Sequence, residues 1–147
     1  MYLLDTNVVS QTSPIKALDH PELIAWIRSA SESLFLSVVT AAEIVRGIAK
    51  LRRDGALRKA DALRRWWAQV EHLYSDRLLQ FDLRAAHAAG AILDRARAHN
   101  PGFEDIAIAA TAEVNQLIVL TTNERHFDPL GVAFINPLKE LPRRPLV

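Results

Sequence analysis

Three carboxylates and one amide stand where an α/β protein keeps its chemistry. Asp5 directly follows the apolar run Tyr2–Leu4, and Glu43 follows the run Leu34–Val39, in the first turn of the next helix. Asp105 opens the helical stretch Ile106-Ala107-Ile108-Ala109-Ala110, and Asn123 follows the run from Leu117 to Thr122. In a parallel sheet the carboxyl ends of the strands share one edge, and the helices leaving them start there, so all four side chains can converge on one cleft. Three carboxylates brought together repel one another, and at least one has its pKa raised unless a cation intervenes. A hard divalent ion removes that conflict, because Mg²⁺ and Mn²⁺ prefer oxygen ligands from carboxylates, amides and water. Such an ion polarises a phosphate oxygen and lowers the pKa of an attacking water, which is the chemistry of phosphoryl transfer. His20, His72, His87, His99 and His126 are scattered without zinc-ligand spacing.

Each of the four residues also has a local reading. Asp5 can cap a turn. Thr40-Ala41-Ala42-Glu43 fits a capping box, in which Glu43 bonds back to the N-cap amide, and taken alone that reading of Glu43 is the stronger. Asp105 suits a helix N-terminus, where a negative charge gains about 0.3–1 kcal/mol from the macrodipole. Asn123 can be an ordinary turn residue. Only their convergence favours the site.

The elements that must position these residues alternate. Short apolar runs rich in branched residues predict buried strands at Tyr2–Leu4, Leu34–Val38, Leu79–Phe81, Leu117–Leu120 and Val132–Ile135. Helices are expected from Pro21, with Leu23, Ile24 and Ile27 on one face, and from Thr40 to about Asp54, broken by Gly55. Others are expected from about Ala56 to Leu73, from Leu83 to His99 behind the N-cap Asp82, and from Phe103 to about Asn115. The spacing Ala86-x-x-x-Gly90 is expected to let another helix pack closely. Strands alternating with helices predict an α/β fold with a parallel, doubly covered sheet.

The whole chain sets outer bounds. With 147 residues, one domain over 1–147 is expected, residues 141–147 forming a mobile tail. No apolar run approaches the roughly 20 residues that span a bilayer, and no basic region precedes a long apolar stretch, so neither a membrane span nor a signal peptide is expected. The absence of cysteine rules out a disulfide framework, a thiolate metal site and a cysteine nucleophile, and a cytoplasmic protein fits best. A net charge of +1 gives no global pull toward nucleic acid. Locally, however, Arg46, Lys50, Arg52, Arg53, Arg58, Lys59, Arg64 and Arg65 face only Asp54 and Asp61. That arm is either a solvated helical face or a surface that steers an anionic partner.

Together these blocks resemble the PIN-domain ribonucleases, of the toxin kind found in bacterial VapBC toxin–antitoxin pairs. The resemblance rests on Leu4-Asp5-Thr6-Asn7-Val8-Val9-Ser10, Ser37-x-x-Thr40-x-x-Glu43-x-x-x-Gly47, Asp105-Ile106-x-Ile108-Ala109-Ala110 and Thr121-x-Asn123-x-x-x-Phe127, with Gly131-Val132 and Ile135-Asn136-Pro137 downstream. It covers nearly the whole chain, in the family's order. It implies a three-layer α/β/α fold around a parallel sheet and Mg²⁺- or Mn²⁺-dependent cleavage of RNA by metal-activated water. It also implies inhibition by a small cognate VapB-type antitoxin, and a homodimer. By motif position, Asp5 and Asp105 would be the direct metal ligands, and Glu43 would complete the acidic site, through a water on the metal or as the base that activates it. Asn123 would hold a water or a phosphate oxygen, while Thr6 and Asn7 would orient Asp5 or reach the phosphate. His126 stands where an aspartate is common in that subgroup.

The resemblance gives the basic arm from Arg46 to Arg65 two uses, as a contact to the RNA backbone or as part of the groove that takes the antitoxin. Adjacent tryptophans on one helix point about 100° apart, so one of Trp66 and Trp67 is expected at a partner surface. The alternative to an enzyme is a catalytically silent PIN-like module that binds protein or RNA. A phosphatase using Asp5 as a covalent nucleophile is disfavoured, because such enzymes want a second aspartate two residues on, where this chain has Asn7.

Overall fold

The three central strands of this chain are largely buried and the two edge strands half-buried, and the topology shows why. The computed structural model describes residues 1–143. Strands β1 (Tyr2–Leu4), β2 (Leu34–Ser37), β3 (Leu78–Leu79), β4 (Ile118–Leu120) and β5 (Phe134–Ile135) form one sheet in the order β3-β2-β1-β4-β5. Every pairing in it is parallel. Side chains alternate across the sheet, as the two-residue strand period requires. Tyr2, Leu4, Leu34, Leu36 and Leu120 join one core, whereas Leu3 and Val119 join the other, with Phe35 packed against it.

Helices cover both faces, giving the three-layer α/β/α architecture. On one side lie α1 (Thr6–Val9), α2 (Pro21–Ser29) and α4 (Leu57–Leu73), which contribute Val8, Leu23, Trp26, Ile27, Trp67 and Val70 to the core. On the other lie α5 (Leu83–Arg95), α6 (Phe103–Val114) and the short α7 (Glu124–Phe127), with Ala89, Ile92, Ile106, Ile108, Ala109 and Phe127. Helix α3 (Val38–Arg53) leaves β2 and packs on α4, Ile44 facing the first core and Val39 the second. No helix among the described residues is long and apolar enough to cross a membrane.

Some local expectations fail for identifiable reasons. Helix α3 begins two residues before Thr40, because Ser37 is its N-cap and accepts a hydrogen bond from the Val39 amide at 3.1 Å. Glu43 therefore sits beyond the first turn, and the Thr40–Glu43 capping box does not form. The close face of α5 is Ala85, Ala89 and Ile92, all buried; Ala86 and Gly90 point outward, so the small-residue spacing exists one residue out of phase. The α-helical part of α5 stops at Arg95 and a 3₁₀ turn follows at Arg97–His99, before Asn100 takes the left-handed conformation with φ 46°. Of the expected tail, the carbonyls of Pro142 and Arg143 accept hydrogen bonds from Trp26 Nε1 at 2.9 Å and Tyr2 Oη at 2.8 Å. The chain is thus tied to the first core as far as 143, and 144–147 lie outside the described residues.

Candidate active site

The chain leaves β1 at Leu4 and β4 at Leu120, and these two residues are paired in register. Strands β2 and β3 lie on one side of β1, and β4 and β5 on the other, so the gap between the ends of β1 and β4 is the point where the strand order reverses. Open parallel sheets bind their ligands at such a point. Asp5 and Thr121 stand there side by side.

Asp5 is only 4% exposed, and its carboxylate is held by three donors. One oxygen accepts from the Thr6 amide at 2.7 Å, which makes Asp5 the N-cap of α1. The other accepts from Thr121 Oγ1 at 2.7 Å and from Asn7 Nδ2 at 2.7 Å. Asn7 is itself fixed, since its Oδ1 accepts from the Thr122 amide at 3.0 Å. Thr121 Oγ1 accepts the Asn123 amide at 3.0 Å, so one buried hydroxyl ties Asp5 to the turn that carries Asn123. Burial pushes the Asp5 carboxyl up to about 6; the hydrogen bonds from Thr121 and Thr6 pull it down, and the charges of Asp105 and Glu43 raise it further.

Glu43 comes from α3, where freedom from a capping role lets it face the site. Its Oε1 accepts a hydrogen bond from Thr6 Oγ1 at 2.7 Å. Asp105 lies in the first turn of α6, whose N-cap is Gly102 and makes no side-chain cap bond. Its Oδ2 is 2.8 Å from His126 Nδ1, on α7. Asn123 precedes α7 and makes no side-chain cap bond, so its amide is not used up as a turn residue.

All four candidate residues line one open cleft of about 430 Å³, together with Thr6, Asn7, Arg46, Gly102, Glu104 and His126. No three His, Cys, Asp or Glu side chains among the described residues stand close enough to cage an ion by themselves. The oxygen donors that do face the cleft suit a hard cation that retains much of its water and takes one or two carboxylates. Asp5 is the strongest indication of that fit, because a carboxyl raised chiefly by burial, and further by the charges of Asp105 and Glu43, is relieved by a cation.

His126, Arg46 and Glu104 in the cleft, and Thr121 buried behind Asp5, have no definite role in the sequence alone. Thr121 opens the Thr121-x-Asn123 block of the family resemblance, but it becomes a partner for Asp5 only when β4 lies beside β1. The basic arm sends only Arg46 into this cleft, where its Nη1 lies 3.0 Å from Glu104 Oε1. Lys50 is paired with Asp54 at the end of its own helix, and Arg52 with Asp61 on α4. The two tryptophans divide differently from the expectation. Trp67 is a core residue at 4% exposure, and Trp66 is half-buried against the same core, its Nε1 donating to Thr12 Oγ1 at 3.1 Å. Trp66 also borders an apolar trough of about 280 Å³ between α3 and α4, which shares Thr6 and Glu43 with the acidic cleft.

A PIN domain model matches residues 2–131 of the chain. The chain is 33% identical to the toxin FitB of Neisseria gonorrhoeae over 141 residues, covering 93% of this chain and 98% of FitB. It is 32% identical to the VapC ribonuclease Y4jK of Sinorhizobium fredii over 140 residues, covering 93% and 97% of the two chains. Among solved structures, FitAcB of N. gonorrhoeae superposes with a TM-score of 0.79 at 33% identity, over 94% of this chain and 99% of that one.

Proposed function

Because this chain belongs to the PIN-domain family, we propose that it is a Mg²⁺-dependent endoribonuclease, the toxin of a toxin–antitoxin pair. The observation that carries the reading is the cleft at the strand-order reversal, where Glu43 and Asp105 join the buried Asp5, whose carboxyl is raised to about 6. Relatives named as a toxin and as a VapC ribonuclease, aligned over nearly their whole length, support it.

Asp5 and Asp105 would hold the ion, Mg²⁺ or Mn²⁺, and Asn123 would present its amide to a water or a phosphate oxygen. When bound, the ion would neutralise the facing carboxylates, polarise the scissile phosphate and make a water acidic enough to attack it. Glu43 would accept a proton from the attacking water, its carboxylate oriented by the hydrogen bond from the Thr6 hydroxyl. Asn7 and Thr121 keep Asp5 turned toward the cleft. The apolar trough that begins at Glu43 and runs past Ile44, Ile48, Leu51 and Trp66 is a seat for a small antitoxin, next to the acidic residues it must silence.

The test is cleavage mapping on total RNA with wild type and Asp5→Ala, each with Mg²⁺, with Mn²⁺ and with chelator. Metal-dependent cuts made by the wild type and absent from the variant are expected. Equal cutting by both proteins, with contaminating nuclease excluded, would reject the site.

A further inference from the structure

The cleft is lined by Asp5, Glu43, Glu104 and Asp105, and Arg46 is the one lysine or arginine among its lining residues. An RNA backbone, carrying one negative charge per nucleotide, meets repulsion from whatever carboxylates a metal leaves uncovered. Arg46 lies three residues after Glu43 on α3, hence on the same face of the helix. Its guanidinium reaches across the cleft to Glu104 on α6, unlike Lys50, which bonds one turn along its own helix.

The Arg46–Glu104 pair is poorly suited to holding the fold together. The two side chains are 68% and 41% exposed, and an ion pair so open to water contributes little stability and opens at little cost. One Nη1 engages Glu104, which leaves other N–H donors of the planar fork for a second acceptor. Phosphate matches that fork in two-point geometry.

We propose that Arg46 is the phosphate-binding cation of this cleft, parked on Glu104 in the free protein and transferred to a backbone phosphate of RNA when the substrate enters. This rests on the ribonuclease reading above. Glu104 is then a competitor for Arg46, and its removal helps the substrate. A pair that only braces α3 against α6 predicts the reverse, since losing either partner would loosen the brace equally.

The experiment is fluorescence anisotropy of a fluorescein-labelled RNA oligonucleotide with Mg²⁺, in an Asp5→Asn background that removes turnover without touching the rim. Arg46→Ala is expected to weaken binding about tenfold and Arg46→Lys about threefold, as loss of a two-point charged contact requires. Glu104→Gln is expected to tighten binding about threefold, and Arg46→Ala to make the salt dependence shallower by about 0.7 in log–log slope. Melting curves identify a variant that has lost its fold, in which case Arg46→Lys decides. Arg46→Ala and Glu104→Gln shifting affinity in the same direction would overturn the proposal, as would no effect of Arg46 or no RNA binding by any of these proteins. Wild-type cleavage of the same oligonucleotide is scored separately: its absence sinks the ribonuclease reading, while the anisotropy series judges Arg46.

Discussion

Asp5 and Asp105 face the same cleft and are held in opposite ways. Asp5 is buried at a strand end, with three donors fixing both of its oxygens. The Asp105 side chain is 21% exposed on the first turn of a helix, and it meets one imidazole that is itself 59% exposed. The inner wall is thus preorganised, its dipoles set before any ligand arrives, at the cost of a carboxyl raised by burial. The outer wall, with Glu104, Arg46 and His126, is wet and can rearrange. A site built this way can anchor an ion on one side and admit a long polyanion on the other.

The contrast breaks most visibly through Asp5. Asp5→Asn should lower metal-dependent RNA cleavage by about 10³-fold or more, because it removes the buried charge around which the site is built. Initial rates at saturating Mg²⁺ measure it, and a loss under tenfold would mean that the inner wall is not where the ion sits.

Next comes the hydroxyl behind Asp5. Thr121→Val keeps the shape and removes both the donor to Asp5 and the acceptor for the Asn123 amide. Mg²⁺ affinity should fall about 10- to 100-fold and stability by about 1–3 kcal/mol, read by calorimetric titration and by urea unfolding.

The same burial should appear as a pH effect in metal-free protein. The Asp5 carboxyl is near 6 when folded, against 3.8 for the unconstrained group, so the folded state holds the proton more tightly. Well below pH 4 both states are protonated and Asp5 is neutral to stability; between about 4 and 6 the unfolded state ionises while the folded carboxyl keeps its proton, so stability falls across that window and levels off above it. Asp5→Asn should therefore stabilise the metal-free protein by about 2–3 kcal/mol at pH 8, a gain that shrinks to under about 1 kcal/mol near pH 4. Denaturant midpoints at the two pH values check it, and a gain that grows on acidification would contradict the assignment. By the same sign, metal binding should weaken as pH falls through about 6, where protons compete for Asp5.

The smallest effect is expected at the wet wall. His126→Ala should lower Mg²⁺ affinity only about threefold, with His126→Asn restoring part of it, since the contact to Asp105 is solvent-exposed. If His126→Ala costs as much as Thr121→Val, the two walls are equally organised and the comparison fails.

Much of this arrangement is legible along the chain, and the exceptions are instructive. The ends of β1 and β4 are local events, since short apolar runs stop at Asp5 and Thr121, whereas β2 ends at Ser37, one residue earlier than the run Leu34–Val38 suggests. Helix starts were less secure, because Ser37 and Thr40 are both good caps and only packing chose the first. That choice released Glu43 to meet Thr6. The face of α5 was misplaced by one residue because Ala85, Ala86, Ala89 and Gly90 are all small, and only contact with α6 tells them apart. Trp66 and Trp67 diverge by about 100° as helix geometry demands, yet Trp67 is buried in the first core and Trp66 packs against its edge.

Residue types and their spacing determined by themselves that a hard-cation, phosphoryl-transfer site was possible here and that Asp5, Glu43, Asp105 and Asn123 were its candidates. Chemistry of that kind belongs to side chains and survives any reading order. Tertiary structure alone decided that β4 lies against β1, that Thr121 locks Asp5, and that Arg46 crosses to Glu104. Desolvation and pairing depend on neighbours more than a hundred residues away in the chain for Thr121 and Asp5, and no local pattern encodes which strand will lie next to which.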